Sequence, residues 1–172
     1  MISTHIRSLV EIFSCGVMVS ACAGSGGSPR AVPVEVIYSN VQCRGTPAPS
    51  LARIGDAAAL GRLTGNELAT GLGTATNVRI EFPVSDTVQL FSIDMGERPS
   101  AGYALSLQRA EHADGVLMFY VDWQEPPPDA LTAQVMTHPC VVVRVSPLDI
   151  KIKKMRVIDQ AGRVRIEEDS AR

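Results

Sequence analysis

The chain has little histidine, no excess of charge of either sign, and no apolar run long enough to cross a membrane as a helix. Three histidines occur in 172 residues, His5, His112 and His138, and neither a His-Glu-x-x-His nor a Gly-x-Ser-x-Gly pattern is present. Hydrolytic chemistry needs clustered, tunable groups, and the sequence does not supply them, so no enzyme is expected. Sixteen Lys and Arg against eighteen Asp and Glu give a net charge of −2. With no basic stripe, the electrostatic footprint of a nucleic-acid binder is missing. The one basic cluster, Lys151, Lys153, Lys154 and Arg156, alternates with apolar residues and reads as the solvated face of a strand. The Gly-x-Gly at Gly71–Gly73 has neither the third glycine nor the βαβ context of a dinucleotide fingerprint, and no cofactor is expected.

What is present is globular. Hydrophobic residues make up 45% of the chain and charged residues 20%, and the length suits one ordinary domain. The first residues read differently from the rest. His5 and Arg7 precede a mostly apolar stretch, Leu9–Val19, of signal-peptide length. Val19-Ser20-Ala21-Cys22 then has the small-residue-before-Cys pattern of a bacterial lipobox. Cys22 is the expected lipidation site, its thiol carrying the diacylglycerol whose chains partition into lipid at about 0.8 kcal/mol per CH₂. Glu11 interrupts the apolar stretch, and Cys15 follows a poorer version of the same pattern. Ala23–Pro29 is rich in Gly and Ser and reads as a flexible tether. The expected organisation is a signal peptide over 1–21, a tether over 22–31 and a single β-rich domain over 32–172. The expected location is the bacterial cell envelope, lipid-anchored and periplasm-facing or in the outer membrane. Ala23 provides no inner-membrane retention aspartate.

Of four cysteines, Cys43 and Cys140 remain once Cys15 is removed and Cys22 acylated. In an exported protein such a pair is expected to form a disulfide. A metal site built from Cys43, His138 and Cys140 lacks a Cys-x-x-Cys pair and a clear fourth ligand, so none is expected.

The mature chain reads mainly as strand. Val32–Tyr38 alternates, with Pro33 placing it at an edge or a strand start. Ser39–Pro49 is a loop, and Ile54–Leu63 a short helix with Asp56 as N-cap. Val78–Phe82, Thr87–Asp94, Tyr103–Gln108 and Val116–Trp123 are expected strands, with a polar turn at Glu111–Gly115. Glu125–Asp129 is a polyproline-like connection, Cys140–Val145 a buried strand, and Ile152–Ile158 with Arg163–Ile166 a terminal hairpin. The pattern argues for a mainly β fold, an antiparallel sandwich or barrel with one short helix.

The best-specified stretch is Asp94–Tyr103, where Gly96, Pro99 and Gly102 fall within seven residues. Gly96, Pro99, Gly102 and Tyr103 are expected to build this loop, and Arg98 and Ser100 to project from it toward a partner. His112 is expected to be solvated in its turn. Asp122 and Glu125 beside Trp123 do not make a compelling carboxylate pair. Trp123 with Pro126–Pro128 is a second candidate surface.

From about Ser85 to Pro147 the sequence resembles the C-terminal domain of the PrcB family of protease-complex subunits. The resemblance is carried by Met95-Gly96-Glu97-Arg98-Pro99-Ser100-Ala101-Gly102-Tyr103, then Glu125-Pro126-Pro127-Pro128, then Thr137-His138-Pro139-Cys140-Val141-Val142-Val143. Ser100 stands where the family usually has Thr, and Ala101 where Gly is common. The resemblance implies a non-catalytic, often lipid-anchored subunit that assembles with, or stabilises, an exported protease or another envelope protein. The loop is also similar to that of chagasin-type inhibitors, with Arg98 where those proteins have Asn. That similarity implies an alternative, a protease inhibitor presenting Pro99–Tyr103 to a papain-like cysteine protease.

Overall fold

A computed structural model describes residues 27–65, 88–146 and 150–170. The signal peptide, Cys22, most of the tether, the Gly71–Gly73 pair and the expected strand Val78–Phe82 lie outside the described residues.

Among the described residues nine strands and one helix follow in order: β1 (Arg30–Val32), β2 (Val34–Asn40), β3 (Ser50–Ile54), α1 (Ala57–Thr64), β4 (Gln89–Asp94), β5 (Ala104–Ala113), β6 (Val116–Gln124), β7 (Cys140–Val145), β8 (Lys154–Ile158) and β9 (Val164–Asp169). They form a five-stranded sheet, β1-β5-β6-β8-β9, and a four-stranded sheet, β2-β7-β4-β3. The two are open sheets of a sandwich and do not close into a barrel. All neighbours are antiparallel except β6 and β8.

Side-chain alternation explains why three layers form. On β4, Phe91 and Ile93 point into the main core between the sheets, with Phe119, Val121, Trp123, Val141 and Val143. The alternate residue Leu90 points the other way, into a second cluster with Ile37, Tyr38, Leu60, Val142 and the Cys43–Cys140 pair. Helix α1 covers this outer face through Leu60, with Ala59 and Leu63 half-buried beside it. Strands β4 and β7 are therefore apolar on both faces, as the Val141–Val143 run suggests. Asp56 accepts the Ala59 N–H at 2.7 Å as N-cap, and Gly65, at φ 65°, ends the helix in the left-handed region.

Four local expectations change. The strand expected over Val32–Tyr38 is two strands: Pro33 has no N–H for a ladder, and the chain crosses there from β1 in one sheet to β2 in the other. Because β1 pairs with β5, the first described strand starts at Arg30, inside the expected tether. Ser50–Ile54 is a strand the sequence pattern did not suggest; it is short and on a sheet edge. The turn expected over Glu111–Gly115 shrinks to Asp114–Gly115, both at positive φ, because an Asp-Gly pair in that conformation matches the twist of a two-residue hairpin. The terminal hairpin forms as expected, and in it Lys154 and Arg156 pair with Glu167.

Candidate functional site

The loop between β4 and β5 is held from both sides by other segments. On one side Met95 N–H donates to the Pro139 carbonyl (2.9 Å), Arg98 and Thr137 exchange two backbone hydrogen bonds (2.8 and 2.9 Å), and Ala101 N–H donates to Ala133 (2.9 Å). The Thr137 hydroxyl donates to the Ser100 carbonyl at 3.0 Å. On the other side Glu97 N–H donates to Pro47 (3.0 Å). Gly96 sits at φ 77°, and a Cβ there would meet the Pro47 carbonyl oxygen at 2.6 Å and the Ala48 backbone at 2.7 Å. Only glycine satisfies both constraints. Gly102, at φ 96°, is also left-handed, and a Cβ there would lie 3.1 Å from the Pro126 side chain.

Within this loop, Arg98 and Ser100 do not project as expected. Ser100 is 7% exposed, and its backbone is tied to Thr137, so its side chain is not displayed at a tip. Arg98 folds back: its guanidinium donates to the Met95 carbonyl at 2.6 Å and lies 5.5 Å from the Tyr103 ring and 5.7 Å from the Trp123 ring. A cation over two aromatic faces loses less by being half-buried than it would against apolar walls. The side chains the loop does leave exposed are Glu97 and Pro99. Pro99 thus lies at the surface, while Tyr103 is half-buried against the main core.

Behind the loop is a buried polar group that sequence reasoning did not assemble. Asp94, at the end of β4, is 1% exposed and accepts the Gly96 N–H on Oδ1 at 2.6 Å. His138 Nε2 lies 3.2 Å from the same oxygen. Asp94 Oδ2 has no hydrogen-bond donor among the described residues. Burial raises the Asp94 carboxyl above its ordinary value of 3.8, against the opposing pull of the Gly96 N–H, His138 and Arg98. Gly45 closes the group: a Cβ there would sit 1.5 Å from Asp94 Oδ2 and 2.9 Å from His138 Nε2. Cys43 and Cys140 form the expected disulfide, with Cα atoms 6.0 Å apart across 97 residues, and it pins the chain that carries Gly45. By the alternation of β4, Asp94 shares the face of Leu90, toward the second cluster, and its β7 partner is Cys140.

The other candidates separate. His112 lies on β5, half-buried, and not in a turn. Trp123 is core, with its indole N–H donating to Glu125 Oε1 at 3.0 Å and Arg165 5.2 Å from its ring, so it does not form a surface with the prolines. Glu125 is also paired with Arg165, while Asp122 lies exposed on β6, and the two do not form a carboxylate pair. No group of three or more His, Cys, Asp or Glu suited to a metal ion occurs among the described residues.

Beside the loop, the returning segment before β7 exposes an apolar strip. Leu131 is fully exposed, Val135 and Met136 about half, and Val41 stands next to them through the Gln42 amide, which donates to the Met136 carbonyl at 3.2 Å.

Fold and site together define a disulfide-closed β-sandwich module organised around one rigid loop and the strand that returns beside it. Residues 92–146, which contain both, match the family model described as PrcB C-terminal, and this supports the PrcB resemblance. No curated protein and no solved structure matches the chain, and the similarity to chagasin-type inhibitors is not shown.

Proposed function

We propose that this chain is a non-catalytic, lipid-anchored envelope protein that assembles with, or stabilises, an exported protease or another envelope protein. The match to the PrcB C-terminal domain supports association with a protease complex. The observation that carries the reading is the position of the apolar strip. Val135 and Met136 stay in water although Ala133 and Thr137, on either side of them, are hydrogen-bonded to Ala101 and Arg98 of the loop, and Leu131 and Val41 are exposed nearby in the chain segments that flank them. Exposed apolar side chains on a rigid base suit a protein partner, because they pay little ordering entropy on docking. The lipidated Cys22 would hold that surface near the membrane. Ser100 is buried and Arg98 folded back, so the geometry gives the inhibitor reading no support.

The test is capture of an exported protease, identified by mass, on the full-length chain after cross-linking in intact cells. Leu131→Asp with Met136→Asp should abolish capture and leave the melting temperature within a few degrees of the parent. Undiminished capture would remove the strip from the reading. Retention of the Cys22→Ser protein in the membrane fraction would remove the anchor.

A further inference from the structure

Among the described residues all but one of the arginines fall into two groups; the exception, Arg30 on β1, has no carboxylate partner and does not line the cavity described below. Arg109, Arg144, Arg156, Arg163 and Arg165 each pair with a carboxylate, and Arg98 is stacked on two rings. Arg44, Arg53 and Arg62 have no carboxylate partner among the described residues, and all three line one cavity of about 410 Å³ beside α1. They come from three different elements. Arg44 is on the disulfide-pinned loop, where its N–H donates to the Leu63 carbonyl at 2.8 Å; Arg53 is on edge strand β3; Arg62 is in the last turn of α1. Arg53 also reaches a neighbouring cavity lined by Glu168 and Asp169, but neither forms an ion pair with it.

The floor of the cavity is apolar, with Ile54, Ala59 and Leu63, and its wall carries the Thr46 and Ser50 hydroxyls 3.2 Å apart. The acidic group that lines it, Asp94, is buried, and one of its oxygens is already engaged by the Gly96 N–H with His138 close by. It cannot neutralise three guanidinium groups. In a chain of net charge −2 this concentration of cations does not follow from general basicity.

We propose that this cavity binds an acidic side chain of a protein partner, the arginines taking its carboxylate and the floor taking its methylene stem and an apolar neighbour. The proposal rests on the partner reading above but uses a different surface. Guanidinium forks match a carboxylate bidentately, and a half-apolar cavity suits an amphipathic side chain better than a fully hydrated phosphate. The overall negative charge opposes docking on a polyanionic lipid or nucleic-acid surface. Most of the cavity's residues precede residue 92, outside the stretch that matches the PrcB C-terminal model.

The experiment is a titration of the full-length chain in detergent micelles, following the arginine Nε–H signals. The probes are acetyl-Leu-Glu-Leu-Glu-Leu-amide, its Gln counterpart, inorganic phosphate, and phosphatidylglycerol vesicles. The Glu peptide should shift the Arg44, Arg53 and Arg62 signals and bind at least about tenfold more tightly than the Gln peptide. Replacing all three arginines with Gln should abolish the binding. If that variant melts, the triple Lys variant, which keeps charge but not the planar fork, should still bind less tightly than the parent. Equal binding of the two peptides, or phosphate or vesicles binding as tightly as the Glu peptide, would overturn the proposal. So would binding that appears only after Glu67, Glu81 and Asp86 of this chain are neutralised, since the occupant would then be internal. Peptide binding that survives Leu131→Asp with Met136→Asp while protease capture is lost separates this site from the apolar strip. Intact capture with no peptide binding separates them in the other direction.

Discussion

Asp94 and Asp159 are both buried carboxylates next to strand ends, and the protein treats them in opposite ways. Asp159 follows β8 and has both oxygens satisfied. The Ala161 and Arg163 N–H groups donate to Oδ1 at 2.9 Å each, and the Arg163 and Arg165 guanidiniums to Oδ2 at 2.8 Å each. Burial pushes its carboxyl up, but those donors outweigh it, and the group falls to about 2. Asp94 is equally shielded, has one N–H donor and one nearby imidazole, and is raised. A fully answered carboxylate is a staple for a hairpin. A half-answered one is costly, and here it sits where the disulfide, the β4–β5 loop and the arginine cavity meet.

The comparison can be broken or sharpened in four ways, given from the largest effect to the smallest. The Asp94 side is pinned covalently and the Asp159 side is not. Replacing Cys43 and Cys140 together with Ala should cost about 4 kcal/mol by the chain-entropy estimate for a loop of this length, read from urea unfolding. A loss under about 1 kcal/mol would mean that backbone bonds alone hold the loop. Asp159→Ala should cost about 2 kcal/mol, because it takes the acceptor from two turn N–H groups and one carboxylate from Arg165, which keeps Glu125, whereas Asp94→Asn should cost less than about 1 kcal/mol, since Asn still accepts the Gly96 N–H. A reversal of that order would invert the roles assigned to the two aspartates.

Gly45→Ala should cost about 2 kcal/mol from its clash with Asp94 and His138. Gly162→Ala meets nothing within 4 Å and should cost about 1 kcal/mol, from its positive φ alone. Thermal melts of the pair separate crowding from backbone strain. The last test is acid. Asp159 is depressed, so its contribution is present above its ordinary 3.8 and is lost as pH falls from there toward about 2. Asp94 is raised, so the folded state takes up its proton first, and its charging erodes stability as pH rises above 3.8. Asp159→Asn should therefore flatten the acid limb of a stability–pH curve, and Asp94→Asn should remove the loss on the other side.

Much of the fold was legible because its signals are local. Strand patterning located β4, continuous apolar runs located β6 and β7, turn residues placed the terminal hairpin, and Asp56 announced the helix. Cys43 and Cys140, expected to pair, form the disulfide. Ser50–Ile54 was not legible: five residues with exposed Ala52 and Arg53 carry almost no period, and the strand exists because β4 offers it an edge. The loop was found but misread. Gly96 and Gly102 declare their backbone angles in the sequence. Where Arg98 and Ser100 point depends on Thr137, Trp123 and Ala133, which lie more than twenty residues away.

By itself the sequence determined the class: a β-rich chain, one cysteine pair, one capped helix and a loop whose glycines and proline fix its path. These follow from steric rules that act within a few residues. The tertiary structure alone decided that the loop is backed on both sides, that Asp94 meets His138 and Gly45, and that three arginines from separate elements, without a carboxylate partner among the described residues, share one cavity. Burial and electrostatics depend on what the rest of the chain brings within a few ångströms, and no local pattern encodes that.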